Sequence, residues 1–291
     1  MSKVIEIKGL KKHFGKVRAV DGIDLSVEKG EIFGFLGPNG AGKTTTIRLM
    51  LDFIRPTSGE VKILGQNPQN NAEKLHSKIS FLPGRARLYD NWTGEEHISF
   101  IASFGGSTEL AKKIASDLDL DTKRKFKNLS SGNKQKLSLV LALMKKPELL
   151  ILDEPTNALD PLLQNQVHRT LREFQKEGMT VFMSSHNLSE VDQTCSRVAI
   201  IKSGKIVSEE SIKSLKEKRT HMVAVRFAEK VAKEAIKSAC VKKIEEIDSS
   251  LLITCKGEID PLIKELAKYR VKEIEISHAT LEEIFLEFYQ K

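Results

Sequence analysis

The chain has 291 residues, 40% hydrophobic and 30% charged, which excludes disorder and points to one large domain plus a smaller one. No apolar run approaches the roughly 18–20 residues of a membrane-crossing helix, and the N-terminus lacks a signal-peptide core, so a cytoplasmic location is expected. The formal net charge is +8, and residues 219–291 balance 13 basic against 13 acidic side chains, so the excess lies in residues 1–218; charge alone chooses among nucleic acid, anionic membrane and phosphate ligands for none of them. Cys195, Cys240 and Cys255 are odd in number and lack metal-ligand spacing, so buried free thiols are expected.

The N-terminal stretch alternates at Val4, Ile5, Ile7 and Leu10, then Val17, Ala19 and Val20, then Ile23, Leu25 and Val27, with Gly-containing turns between. This pattern predicts a small antiparallel β layer. The apolar run Ile32 to Leu36 follows, then a glycine-rich loop and a helix from about Lys43 to Phe53, ending before Pro56. That loop, Gly37-Pro38-Asn39-Gly40-Ala41-Gly42-Lys43-Thr44, fills GxxxxGK[ST] between a strand and a helix, the context that makes it a P-loop. Its backbone N–H groups and the helix N-terminus suit the phosphates of ATP. Lys43 is expected to bridge the β- and γ-phosphates, Thr44 to ligate Mg²⁺, and Thr45 to meet the α-phosphate.

Residues 72–128 read as mostly helical, broken by Gly94, Gly105 and Gly106, and suggest a helical insertion at about 85–130. Leu129-Ser130-Ser131-Gly132-Asn133 then places small residues at the start of a helix running to Met144, which makes a second anion site or an ordinary N-cap. A chain whose P-loop already serves its own nucleotide has use for a second such site on another molecule's ATP. The basic residues Lys123, Arg124, Lys125 and Lys127 before it read as a solvated face.

Buried strands are expected at 149–152, 180–183 and 198–201, alternating with helices around 134–144, 161–176 and 188–194, which predicts a largely parallel α/β sheet. The strand Leu149 to Leu152 runs out into Asp153 and Glu154, the form of a Walker B motif: Asp153 to hold Mg²⁺, Glu154 to orient and deprotonate the attacking water. His186 follows a strand at the carboxyl edge of the sheet, where ligands bind. The charged segment 208–219 is expected as a helical connector, and the tail reads strand (222–227), helix (229–239), strand (242–247), strand (251–256), helix (260–267), strand (271–276), helix (281–289), a ferredoxin-like α+β order. These readings give an ATPase domain at 1–218 and an accessory domain at 219–291.

In order, the P-loop, Leu129 to Asn133, Leu152-Asp153-Glu154-Pro155, Asn157-Ala158-Leu159-Asp160 and Ser184-Ser185-His186 resemble the motif series of an ABC ATPase over residues 1 to about 210. The resemblance implies a homodimer in which Ser130, Ser131, Gly132, Asn133 and Asp160 meet the partner's ATP, with His186 at the γ-phosphate and Phe14 stacked on adenine; Phe14 serves equally as a residue of the β layer. It further implies a separate transmembrane permease and a peripheral position on the cytoplasmic face of the cell membrane. The alternative, a non-transport ABC ATPase acting on nucleic acid or ribosomes, is permitted by the basic excess, but the chain has one set of motifs, no long heptad stretch and no recognisable nucleic-acid module, so no nucleic acid partner is expected. Two departures stand out. Ser131 replaces the first glycine of the LSGGQ signature and Asn133 its glutamine, and Gly84 occupies the place of the family's glutamine near Mg²⁺, followed by Arg85 and Arg87. The Leu-Pro-Gly and Ser-Gly-Asn-Lys-Gln-Lys variants are similar to the branch that serves ABC-2-type exporters, as is the tail from His278 to Tyr289, whose stripe Leu281, Ile284, Phe285 and Phe288 reads as core packing rather than a partner site.

Overall fold

The computed structural model describes residues 2–157, 159–217, 220–229, 231–247 and 250–278. Ala158 and the helix expected at 281–289, with its stripe of Leu281, Ile284, Phe285 and Phe288, lie outside them. The chain divides into two compact units, Met1–Glu209 and Glu210–Lys291.

The first unit opens with β1 (Lys3–Phe14) and β2 (Val17–Glu28), which pair antiparallel. Val17 to Val27 form one strand rather than two. Gly22 adopts φ +77 within it, so the glycine that reads as a turn in sequence is accommodated inside the ladder. Next come β3 (Ile32–Leu36), α1 (Lys43–Met50) and β4 (Ser58–Ile63), the last being the third strand of the antiparallel layer in the order β2-β1-β4. Helix α1 stops short of the expected Phe53, because Asp52 turns left-handed at φ +58.

The chain continues through α2 (Ala72–His76), β5 (Ile79–Leu82), α3 (Gly94–Ala102), α4 (Thr108–Asp117) and α5 (Ser131–Leu143). Thr93 and Glu96 start α3 with a reciprocal capping box, which fixes where the insertion's first helix begins. After β6 (Leu149–Asp153), α6 (Pro161–Lys176), β7 (Thr180–Ser185), α7 (Leu188–Thr194), β8 (Arg197–Lys202) and β9 (Lys205–Ser211), the large sheet reads β5-β6-β7-β3-β8-β9. Strands β5, β6, β7, β3 and β8 pair parallel, so their carboxyl ends share one edge. Each residue of β3, β6 and β7 is buried, which is why these strands read as continuous apolar runs without alternation. Phe33, Phe35 and Phe182 stack at the centre of the core, with the faces of the antiparallel layer packed into the same cluster.

The second unit takes in α8 (Ile212–Glu217), β10 (Thr220–Phe227), β11 (Val241–Ile247), β12 (Ser250–Lys256), α9 (Asp260–Leu266) and β13 (Val271–His278). The segment expected to be helical from 208 is strand β9 up to Ser211, because Ile206 packs on the core of the first unit while the residues around it face out. The four strands of the second unit form an antiparallel sheet in the order β11-β12-β10-β13, around Val223, Val225, Ile253 and Leu262. The helix expected at 229–239 is only a 3-10 turn at Lys233–Ala235. Within it and its flanks Ile236 is the residue that sinks into the core, too little apolar stripe to hold a short isolated helix. The expectation of three free thiols is also corrected: Cys240 and Cys255 form a disulfide, because Val241 pairs across from Cys255 at the β11–β12 junction and brings the two side chains together. Cys195 remains a buried free thiol.

Candidate active site

The P-loop leaves the end of β3, a central strand, and curls into α1. Gly42 sits at the helix N-cap with φ +113, and a Cβ there would meet Ala19 O at 2.4 Å, so only glycine fits. Gly37 to Gly42 thereby deliver Lys43, 6% exposed, into the loop's concave side. Its Nζ donates to Gly37 O at 2.6 Å and Pro38 O at 3.3 Å, and lies 3.1 Å from Glu154 Oε1.

Strand β6 brings Asp153 and Glu154 to the same edge. Asp153 is buried and accepts on both oxygens: Oδ2 from Thr44 Oγ1 at 2.8 Å and Oδ1 from Ser184 Oγ at 2.6 Å. The two hydroxyls hold the carboxylate in one orientation, with a charge-assisted bond to each oxygen. At Glu154 the backbone turns left-handed, φ +53, a conformation costly for a residue with a Cβ. Two bonds from the Glu154 N–H, to Ser184 O at 3.1 Å and Ser184 Oγ at 3.2 Å, hold that turn against β7. The side chain then lies between Lys43 and His186, whose Nδ1 donates to Glu154 Oε2 at 2.6 Å. His186 is 47% exposed, so one face of its ring is open to an incoming molecule.

The other expected residues fall in three places. Thr45 follows in the first turn of α1, half-buried. Gly84 comes just after β5; a Cβ on it would lie 3.2 Å from Asp153 O and 3.8 Å from Asp153 Oδ2. A longer side chain at 84 would therefore start beside the Asp153 carboxylate, and the chain presents bare backbone there. Phe14, at the end of β1, is 50% exposed and carries Lys12 Nζ 5.0 Å from its ring centre, so it is not part of the core.

Ser130 caps α5, accepting from Asn133 N at 3.2 Å, while Ser130 and Ser131 are exposed and Gly132 and Asn133 half-buried. The first turn of α5 thus begins at an exposed end, where helix N–H groups lack partners within the helix itself. One hydrogen bond ties this helix to the segment that follows β6: Gln135 Nε2 donates to Pro155 O at 3.0 Å. Asp160 is exposed and caps α6, its Oδ1 accepting from Leu162 N and Leu163 N, both at 3.0 Å. Lys123, Arg124, Lys125 and Lys127 are exposed, as expected for a solvated face. Sequence reasoning did not assign a task to Ser184 or Gln135. The signal for Ser184 is a small hydroxyl closing a strand of otherwise buried residues opposite an acid.

Residues 20–157 match the family model described as ABC transporter. Over 226 residues the chain is 40% identical to a bacitracin transport ATP-binding protein of Bacillus licheniformis, covering 75% of this chain and 73% of that protein. The chain belongs to the ABC transporter family. Along almost its whole length, 99% of this chain and 96% of the relative, it is also 32% identical to an uncharacterized ABC transporter ATP-binding protein of Bacillus subtilis. An ATP-binding subunit of an ABC transporter matches this ABC chain in structure with TM-score 0.67 at 25% identity, over 73% of this chain and 92% of the other. ATP hydrolysis is the activity of this family's ATPase domains, and the present ABC chain is a transporter-powering ATPase of that kind.

Proposed function

We propose that this chain drives a separate transmembrane permease, in the direction of export, by closing as a head-to-tail homodimer around two MgATP. The observation that carries the reading is the convergence of Lys43, Thr44, Asp153, Glu154 and His186 on one sheet edge, within hydrogen-bonding reach of one another. Lys43 takes the β- and γ-phosphates, exchanging loop carbonyls for phosphate oxygens. Gly37, Pro38, Asn39, Gly40, Ala41, Gly42 and Thr45 supply the cradle, and Phe14 offers an exposed ring for adenine.

The donor chemistry fits Mg²⁺: Thr44 and Asp153 give one hydroxyl and one carboxylate oxygen already gathered at 2.8 Å, the hard oxygens that this ion prefers alongside phosphate. When bound, Mg²⁺ neutralises charge on the transferring phosphate. Glu154 accepts the proton of the attacking water, and His186 orients Glu154 and reaches the γ-phosphate. Ser130, Ser131, Gly132 and Asn133, at the start of α5, and Asp160, at the start of α6, serve the partner's nucleotide, since the P-loop already serves the chain's own ATP.

The permease, the peripheral membrane position and the export direction are supported by the transport of bacitracin named for the relative and by the exporter-like Leu-Pro-Gly and Ser-Gly-Asn-Lys-Gln-Lys variants. No helix of the described residues is long and apolar enough to cross a membrane. The test is copurification from detergent-solubilised membranes with a multi-span protein whose presence raises MgATP turnover. A chain that recovers alone, and whose ATPase ignores the membrane fraction, contradicts the reading.

A further inference from the structure

Behind the phosphate-facing edge, Glu190 on α7 is 4% exposed. A carboxylate so far from water is costly unless its oxygens are bonded. Here Oε1 accepts from Thr156 Oγ1 at 2.8 Å and Oε2 accepts from Ser185 Oγ. These donors belong to the two loops that carry the reacting groups: Thr156 follows Glu154 by two residues, and Ser185 immediately precedes His186. Ser185 Oγ in turn accepts from Asn187 N at 2.9 Å, so the bond at Glu190 fixes the loop on both sides of His186.

A third element reaches the same carboxylate. His168 on α6 is 2% exposed and places Nε2 3.7 Å from Glu190 Oε1, and neither of its ring nitrogens has a hydrogen-bond partner among the described residues. Helix α6 is the one capped by Asp160. Three segments that end in Glu154, His186 and Asp160 therefore converge on one buried carboxylate that none of the proposed chemistry uses.

We propose that Glu190 is a positioning residue for ATP hydrolysis, setting the spacing of the two loops so that Glu154 Oε2 and His186 Nδ1 stay 2.6 Å apart. The inference rests on the roles proposed above for Glu154 and His186. Two hydroxyls aimed at one group need an acceptor on both sides. A glutamine keeps one acceptor oxygen and presents its NH₂ to the other hydroxyl, which must then reverse from donor to acceptor, so two charge-assisted bonds become weaker neutral ones and the spacing of the loops loosens. A displacement of about 1 Å at the reacting groups costs up to roughly 10²-fold in rate.

The experiment measures MgATP binding and steady-state hydrolysis of the full chain. Glu190→Gln is expected to lower kcat roughly 10- to 100-fold with KM and nucleotide affinity little changed, because the P-loop contacts are untouched. Ser185→Ala and Thr156→Val remove one donor each without adding another, and keep the test open if Glu190→Gln does not fold. Thr156→Ser, which returns the hydroxyl, is expected to recover the rate that Thr156→Val loses. Wild-type kcat in Glu190→Gln overturns the proposal, as does a loss of affinity parallel to the loss of kcat, which marks a general structural role. Failure of the underlying reading is distinct: it appears in the unaltered chain as absent hydrolysis, or as normal turnover in Glu154→Gln.

Discussion

Replacing Glu154 by glutamine removes one charge from a group that bridges Lys43 and His186. With Glu154 as the proposed general base, the change is expected to slow hydrolysis by about 10²–10⁴, a barrier higher by roughly 2.7–5.4 kcal/mol. The structural cost is smaller. Glu154 is 13% and Lys43 6% exposed, so the pair is desolvated, yet Lys43 keeps the carbonyls of Gly37 and Pro38 and an amide oxygen still accepts from it. What is lost is the difference between a charged and a neutral hydrogen bond, about 1 kcal/mol, or a fall in Tm of about 2–4 °C for a unit of this size. The assay pairs phosphate release with thermal unfolding and with MgATP binding, and sizes the protein with and without MgATP. Slow turnover, retained affinity and an ATP-dependent dimer are expected. Unchanged turnover refutes the assignment of Glu154, and loss of ATP binding refutes the division of labour between Glu154 and the P-loop.

Three further outcomes follow from other parts of the chain. Gly84→Gln places a Cβ 3.2 Å from Asp153 O, a contact that costs about 1 kcal/mol, but brings an amide to the Asp153 carboxylate; half-maximal ATPase should shift to lower Mg²⁺, and an unshifted Mg²⁺ titration counts against position 84 facing the metal site. The Cys240–Cys255 bridge closes a segment of 15 residues, worth about 3 kcal/mol, so reductant should raise hydrogen exchange in β11 and β12 and leave the first unit unaffected; equal exchange with and without reductant excludes the bridge. Burial holds the Cys195 thiol well above its ordinary value of 9.0, with the Glu190 charge adding to the effect. A folded-state value raised in this way gives stability that is full below pH 9.0 and lost as pH climbs above it. Urea midpoints should therefore fall at alkaline pH in the native chain and fall less in Cys195→Ala, and identical profiles would discard that account.

Much of the first unit was legible because its rules are local. The helices at 161–176 and 188–194 begin at side chains that cap them, Asp160 and Asn187, and the buried strands are uninterrupted apolar runs. The P-loop and the acid pair sit at strand ends, so their order in sequence carries their meeting in space. What escaped the sequence depended on partners far along the chain. The Ser184 hydroxyl acquires its task only when β7 lies beside β6, 31 residues away from Asp153. The Cys240–Cys255 pair depends on the register of β11 against β12, which no spacing rule supplies. Strand β2 was split in reading because a glycine in a bulge and a glycine in a turn look alike until the opposing strand is known.

The left-handed backbone at Glu154 has a consequence for how this position can change over time. A glycine there would relieve a conformation that costs a side-chain-bearing residue about 1–2 kcal/mol, while deleting the carboxylate that Lys43 and His186 share. Position 154 is thus a point at which a relaxed backbone and the carboxylate between Lys43 and His186 call for opposite residues.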